Sequence, residues 1–318
     1  MDTLISTKTT RKKDAKGTSS FIKYFKKHYW LYIMALPGII YLIIFNYIPM
    51  YGIVLPFFDY NMAKGLSGSE WVGLENFKYL FQSPDFFRVF KNSLVLSLMR
   101  LIFGFPMPII LALLLNEIRV RWLKKTIQTV VYIPHFVSWV VIASIVTNLL
   151  SADGGAFNHI LSYFGVGPIN FLIESKYFRW IIVFAEIWKE CGWGTIIYLA
   201  AMTGIDTEFY EAAMVDGASR FRQITSITIP CIIPTMVVLL VLRMGNILQN
   251  GFEQVFLLYS PSVFEVGDVL ETFAYRLGLM EGRFSFASAV GMCQSIIGLV
   301  LIFSANKLAK KIEGGNLW

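Results

Sequence analysis

"EAAMVDGASRFRQITSITIP", residues 211–230, separates two apolar runs that are each long enough to lie in lipid. The segment is polar, rich in small residues and centred on Gly217. A plain connecting loop has no need of an Ala-Ala pair or of a glycine at a fixed place. The context of this stretch therefore decides how the whole chain is read.

The chain has 318 residues, of which 56% are hydrophobic and 15% charged. Soluble domains carry about 25% charged residues, so the balance indicates a membrane protein. Cys191, Cys231 and Cys293 lie in or beside apolar runs, without CxxC spacing or a histidine at ligand spacing. They read as small buried hydrophobes rather than as a disulfide or a metal site. The net charge of +7 is concentrated in residues 1–30, where eight Lys/Arg face Asp2 and Asp14. A basic arm directly before an apolar run is the flank of a first membrane helix on its cytoplasmic side, not a nucleic-acid patch. The run after it is too long for a signal peptide and lacks an A-x-A site, so the arm is expected to stay attached.

A membrane helix needs about 20 apolar residues. Six candidates emerge, at 31–58, 92–115, 127–150, 179–202, 232–258 and 284–307. The first contains Pro37, Pro49 and Pro56 and reads as one span followed by an irregular outer segment. The expected fold is an all-α integral membrane protein with six transmembrane helices. Its parts are a basic arm at 1–29, a membrane domain at 30–310 and a short tail at 311–318. Six spans put both ends on one side. That side collects 17 Lys/Arg, counting Lys307 at the end of the last span, against eight in the opposite segments, counting Arg179 at the start of the fourth, which predicts cytoplasmic termini. The opening stretch then falls in the largest cytoplasmic loop, residues 203–231.

Within that loop, "DTEFYEAAMVDG" (206–217) reads as a short amphipathic helix that Gly217 ends, and "ASRFRQITSITIP" (218–230) restarts a helix. Small residues at the joint let another backbone approach closely. The spacing Glu-Ala-Ala, three residues, Gly, nine residues, Ile, one residue, Leu, Pro resembles the cytoplasmic signature of ABC-importer permeases. Here it is met by Glu211, Ala212, Ala213, Gly217, Ile227 and Pro230, with Ile229 in place of the usual Leu. "YIPHFVSWVV" (132–141) and "GWGTIIYLAAMTGIDTEFYEAAMVDGA" (192–218) resemble maltose-type carbohydrate permeases, in particular the branch for complex polysaccharide fragments.

The resemblance implies a type I importer permease fold, with the loop, Asp216 included, as the coupling helix that docks on a cytoplasmic ATPase. It further implies a second, paralogous permease subunit, two ATPase subunits, an extracellular solute-binding lipoprotein and oligosaccharide cargo. ATP and Mg would belong to the ATPase, since the sequence holds no G-x-x-x-x-G-K-[ST].

Charged residues inside spans are expensive, so their positions are informative. Glu186, Lys189, Glu190 and Trp193 recur at i, i+3, i+4, i+7 and share one helix face. Arg243, Asn246, Asn250 and Glu253 recur at i, i+3, i+7, i+10, with Gln249 adjacent, and Arg100 lies in the second span. One interpretation has these faces line a hydrated path, with polar groups bonding sugar hydroxyls and Trp188 or Trp193 stacking on a ring. The other has internal ion pairing, for instance Glu190 with Arg243, lock the bundle. His135 reads as a packed histidine rather than a proton relay. Arg100, Lys189 and Arg243 are set against Glu186, Glu190 and Glu253, so the spans balance. Uronate-bearing cargo would gain from any cation left free. Rival functions are an importer permease for amino acids, peptides or polyamines, and a stand-alone channel or secondary transporter. No nucleophile–base pair or HExxH suggests a membrane enzyme.

Overall fold

The computed structural model describes residues 24–313. Most of the expected basic arm (1–23) and residues 314–318 of the expected tail lie outside them. The chain divides into two compact units, Met1–Val54 and Leu55–Trp318.

In the first unit, α1 (Tyr29–Leu42) opens the apolar run and tolerates Pro37. It loosens into a π turn at Ile43–Tyr47 and then tightens into 3₁₀ geometry at Ile48–Phe57, whose last three residues belong to the second unit. The irregular outer part expected of this over-long span is that change of winding.

The second unit begins with a two-residue antiparallel pairing of β1 (Phe58–Asp59) with β2 (Glu70–Trp71). Helix α2 (Glu75–Gln82) follows, and α3 (Pro84–Met99) continues through a π turn at Arg100–Gly104 into α4 (Pro106–Glu117). The cause of that π turn is local. Pro106 and Pro108 have no N–H to give back, and their rings crowd the preceding turn, so the ladder widens just before them. Helices α5 (Arg121–Phe136) and α6 (Trp139–Leu150) meet at a 102° bend, where Ser138 caps α6 by accepting from Val141 N.

After α7 (Ala156–Ser162), α8 (Ser175–Thr203) runs unbroken for 29 residues. At helical rise that is roughly 43 Å, more than the hydrocarbon thickness. Helices α9 (Thr207–Val215) and α10 (Arg220–Gln223) precede α11 (Ile229–Gly245). Three short helices, α12 (Phe252–Leu258), α13 (Phe264–Gly267) and α14 (Leu270–Tyr275), lead to α15 (Phe284–Glu313).

Two expected spans differ from the reading above. The third, 127–150, is the bent pair α5–α6. The fifth, 232–258, is not one helix: α11 ends at Gly245, and Gly251 adopts φ +65° before α12 starts. At the break the amides of Asn246 and Ile247 turn back onto the carbonyls of Arg243 and Met244, and Asn250 Nδ2 donates to the Leu248 carbonyl. Among the described residues, four helices are long and apolar enough to cross a membrane: Tyr29–Phe57, Pro84–Glu117, Arg220–Gly245 and Phe284–Ser304. The bent pair makes a fifth. Helix α8 has the length but carries Lys176, Arg179, Glu186, Lys189 and Glu190.

The core of the second unit lies where α8 meets its neighbours. Ile182, Val183 and Phe178 of α8 pack with Leu96, Ala143 and Val255, while Tyr198 and Leu199 pack with Ile109, Ala112 and Ile232. Helices α5 and α8 approach so closely that a Cβ on Gly192 would overlap the Val131 carbonyl. The three thiols are free. Cys293 is buried as expected, whereas Cys191 is only half-buried and Cys231 is exposed on the outward face of α11.

Candidate functional site

The polar face of α8 divides into two clusters. The first is built on the π turn of the second span. Arg100, 7% exposed, projects from it with Nε 2.5 Å from Glu186 Oε2. Its Nη2 donates to Gln254 Oε1 at 2.6 Å, and Gln254 in turn donates to the Ile182 carbonyl at 2.6 Å. Arg243, near the end of α11, reaches the same carboxylate from the other side. Its Nη2 lies 3.2 Å from Glu186 Oε1 and 3.4 Å from the Arg100 carbonyl. A cavity of about 190 Å³ opens here, and its polar lining comprises Ser97, Arg100, Glu186, Arg243, Asn246 and Gln249.

The second cluster holds the α5–α6 bend. Lys189 is buried, and its Nζ donates to the carbonyls of His135 at 2.6 Å, Val137 at 2.7 Å and Pro134 at 3.4 Å. A cation at a helix C-terminus satisfies carbonyls that the helix leaves unpaired and meets the negative end of its dipole. Glu190 Oε2 lies 2.8 Å from His135 Nδ1, and the imidazole stacks on Trp193 at 4.5 Å and 4°. His135 is thus a packed histidine, held by a carboxylate and a ring.

These contacts revise the expected constellation. Glu190 pairs with His135 and approaches Lys189 at 3.8 Å; the carboxylate that meets Arg243 is Glu186. Arg243, Asn246, Asn250 and Glu253 do not form one helical face, because the helix stops between the first two. Asn246 and Gln249 still reach the cavity, but from the turn after α11. Asn250 is fully buried and structural: it accepts from Ser97 Oγ at 3.1 Å and donates to the Leu248 carbonyl at 3.1 Å. Glu253 is exposed in the first turn of α12 and makes no ion pair among the described residues. Trp188 is 49% exposed and stands outside the cavity lining.

Sequence reasoning missed Ser97, Gln254 and Glu271. The polar run from Asn246 to Gln254 was a signal for Gln254; Glu271, whose charge acts on Arg100, lies in a segment taken as an outer loop. Burial pushes the Glu271 carboxyl above the usual carboxylate range, opposed by the Asn250 and Phe252 amides and by Arg100. That segment is stapled to the bundle. Asn92 Nδ2 donates to the carbonyls of Glu265 and Asp268, Arg179 Nε to that of Val266, and the buried Asp268 carboxylate accepts from Arg276 and Thr272.

The loop quoted at the outset has the expected helix, glycine turn and helix, but the second helix does not stop at Pro230: it runs from Arg220 to Gly245, so the second half of the expected loop begins the next long apolar helix. Asp206 caps α9, accepting from Glu208 N at 3.0 Å. Gly217 adopts φ +74°, which lets Ala218 N return to the Ala213 carbonyl at 2.8 Å. Ser219 then caps α10, and Ile227 lies in the π turn that leads to Pro230 and α11. Ala213, Asp216, Gly217, Arg222 and Ile227 border a concavity of about 610 Å³. Phe209, Met214, Val215 and Phe221 are all at least half exposed around it, and Glu211 and Ala212 are exposed as well.

Residues 104–314 match the binding-protein-dependent transport system inner membrane component family. The chain belongs to that family. This permease is 48% identical over 299 residues to the polygalacturonan/rhamnogalacturonan transport system permease protein YteP of Bacillus subtilis (strain 168), covering 94% of this chain and 93% of the relative. It is also similar to a chain of a bacterial ABC transporter involved in import of the acidic polysaccharide alginate. That likeness has a TM-score of 0.85 at 44% identity and covers 92% of the permease and 99% of the solved chain. A second structure, of a bacterial alginate transporter in complex with an alginate pentasaccharide-bound periplasmic protein, matches at TM-score 0.85 and 43% identity over 93% and 99% of the two chains.

Proposed function

We propose that this permease is a membrane subunit of an ATP-driven importer of oligosaccharides, with uronate-bearing chains as its cargo. The observation that carries the cargo assignment is the cavity beside Arg100. Two guanidinium groups and one carboxylate line it, so the cavity wall carries an excess positive charge. Guanidinium groups bind carboxylates through paired, charge-assisted hydrogen bonds. Asn246 and Gln249 add neutral donors and acceptors of the kind that sugar hydroxyls use. The likeness to a polygalacturonan/rhamnogalacturonan permease and to an alginate importer supports the same class.

In this reading α8 is a crossing despite its charges, because Glu186 and Lys189 are compensated inside the bundle; six crossings then put both termini in the cytoplasm. The segment 211–217, with Ile227 and Pro230 behind it, docks on one of two cytoplasmic ATPase subunits that hold ATP and Mg. A paralogous permease completes the pore, and an extracellular binding lipoprotein delivers cargo. Lys16→Cys in intact cells tests the orientation. Shielding from an impermeant thiol reagent is expected, and ready labelling would reverse the topology.

The cargo test uses the complete importer in proteoliposomes, with matched acidic and neutral oligosaccharides. Arg243→Gln leaves Glu186 paired with Arg100, so the protein is expected at normal levels. Uptake of acidic chains should fall about tenfold, the scale of one charged hydrogen bond, while neutral chains are little affected. Equal loss of both cargoes at normal protein levels counts against uronate cargo.

A further inference from the structure

We propose that Glu186 is a resident stand-in for the cargo carboxylate. Its Oε1 occupies Arg243 when the path is empty, and a uronate displaces it by exchange. This rests on the importer reading above and assigns how the same site selects.

The two guanidinium groups are gripped unequally. Arg100 is buried, has Gln254 Oε1 at 2.6 Å and Glu186 Oε2 at 2.5 Å, and feels Glu271 as well. The Arg243 side chain is 35% exposed, and its one carboxylate contact among the described residues is Glu186 Oε1 at 3.2 Å. Its other partner is a neutral carbonyl at 3.4 Å. Glu186 can therefore release Arg243 and stay anchored on Arg100. The Arg243 guanidinium also lies close to the backbone of the π turn, where a Cβ on Gly104 would stand 3.3 Å from Nη2.

Exchange explains selection as well as binding. Swapping one carboxylate for another keeps Arg243 paired throughout. A neutral sugar that pushed Glu186 aside would leave a partly desolvated cation unpaired, which costs more than its hydroxyls return. Discrimination against neutral chains then comes from the resident acid, not from the cation alone.

The test is Glu186→Gln in the complete importer, with membrane level and ATPase assembly measured beside uptake. The amide keeps the shape and an acceptor for Arg100 but gives up the claim on Arg243. The concentration of acidic oligosaccharide giving half-maximal uptake should fall about tenfold, and the maximal rate should fall too because release slows. Neutral oligosaccharide should become a better substrate relative to wild type, since no charged pair must be broken to admit it. Glu186→Asp keeps the charge but shortens the reach to Arg243; it should shift acidic uptake in the same direction by less, and it decides the matter if the Gln variant does not assemble. A half-maximal concentration for acidic cargo that rises in the assembled variants, or does not move, overturns the exchange. A wild-type importer that takes acidic and neutral chains alike defeats the cargo reading itself, whereas preference for acidic chains with an unmoved Glu186→Gln defeats the exchange alone.

Discussion

Glu186 and Lys189 stand three residues apart on one face of α8, yet they have opposite fates. Lys189 Nζ is spent on three backbone carbonyls at the α5–α6 bend. Glu186 is shared between a buried arginine and a half-exposed one, beside open volume. Periodicity assigns both to the same stripe, and they do share it. What separates a charge locked by the backbone from one left beside open volume is the supply of acceptors and donors on the facing element. At Lys189 that element is a helix end, which offers unpaired carbonyls in quantity. At Glu186 it is a π turn and the last turn of α11, which leave Arg243 with one carboxylate contact and one carbonyl among the described residues.

The largest effect is expected away from both clusters, at the loop that makes either of them useful. Gly217→Pro cannot adopt the φ of +74° found there, since proline is held near −65°. ATP-driven uptake should be abolished for acidic and neutral cargo together while the protein still reaches the membrane. Ala213→Asp, at the edge of the concavity, should act in the same way without altering the turn. Full ATPase association and uptake in both variants would refute the docking surface. This separates coupling from selection: loop variants lose every cargo, and cavity variants lose one kind.

Lys189→Met comes next, and it tests the structural half of the comparison. It leaves three inward-facing carbonyls without their donor and Glu190 without its nearby cation. A loss on the order of 3 kcal/mol is expected for breaking a buried charged network of this kind. Thermal unfolding in detergent and membrane levels would both drop, with uptake of the two cargoes falling in proportion to protein. A Lys189→Met permease of normal stability that fails with acidic cargo alone would move Lys189 into the path and erase the distinction from Glu186.

His135→Gln should do less. Glu190 keeps a hydrogen-bond partner, but the stacking on Trp193, 4.5 Å between centroids, is lost. A pair of this kind is worth about 0.5–1.5 kcal/mol beyond area burial. A small drop in unfolding temperature is expected, with unchanged cargo preference. A change in preference would mark this stack as part of the path.

Much of this was legible in the sequence, for identifiable reasons. Apolar run length revealed the helices, because lipid leaves the backbone no other partner. The turn in the 211–230 loop was readable because it requires glycine at 217, whereas the caps Asp206 and Ser219 came to light only in the fold. The break after Gly245 was not readable, since hydropathy reports burial in lipid and not the continuity of a helix. Nor were the ion-pair partners, because pairing depends on which elements the fold brings together. The expected Glu190–Arg243 pair assumed that facing stripes align end to end. The 102° bend of α5–α6 instead draws Glu190 toward His135.

Glu253 carries the smallest prediction, and it bears most directly on how such stripes should be read. By spacing it belongs with Arg243, Asn246 and Asn250, and by charge it belongs with Glu186. Its position in the fold contradicts both. Gly251 turns the chain before α12, and Glu253 then lies in the first turn of that helix, exposed, with its charge toward the positive end of the helix dipole. Glutamate is favourable there without any partner, so the residue needs no ion pair to account for it. Glu253→Gln should leave membrane level, ATPase association and the ratio of acidic to neutral uptake as in the wild type. Measured beside Glu186→Gln in the same proteoliposomes, it isolates geometry from composition, because both changes remove one glutamate from the same predicted set. If Glu253→Gln shifted cargo preference as Glu186→Gln does, the stripe would act as a unit and the break at Gly245 would not divide it.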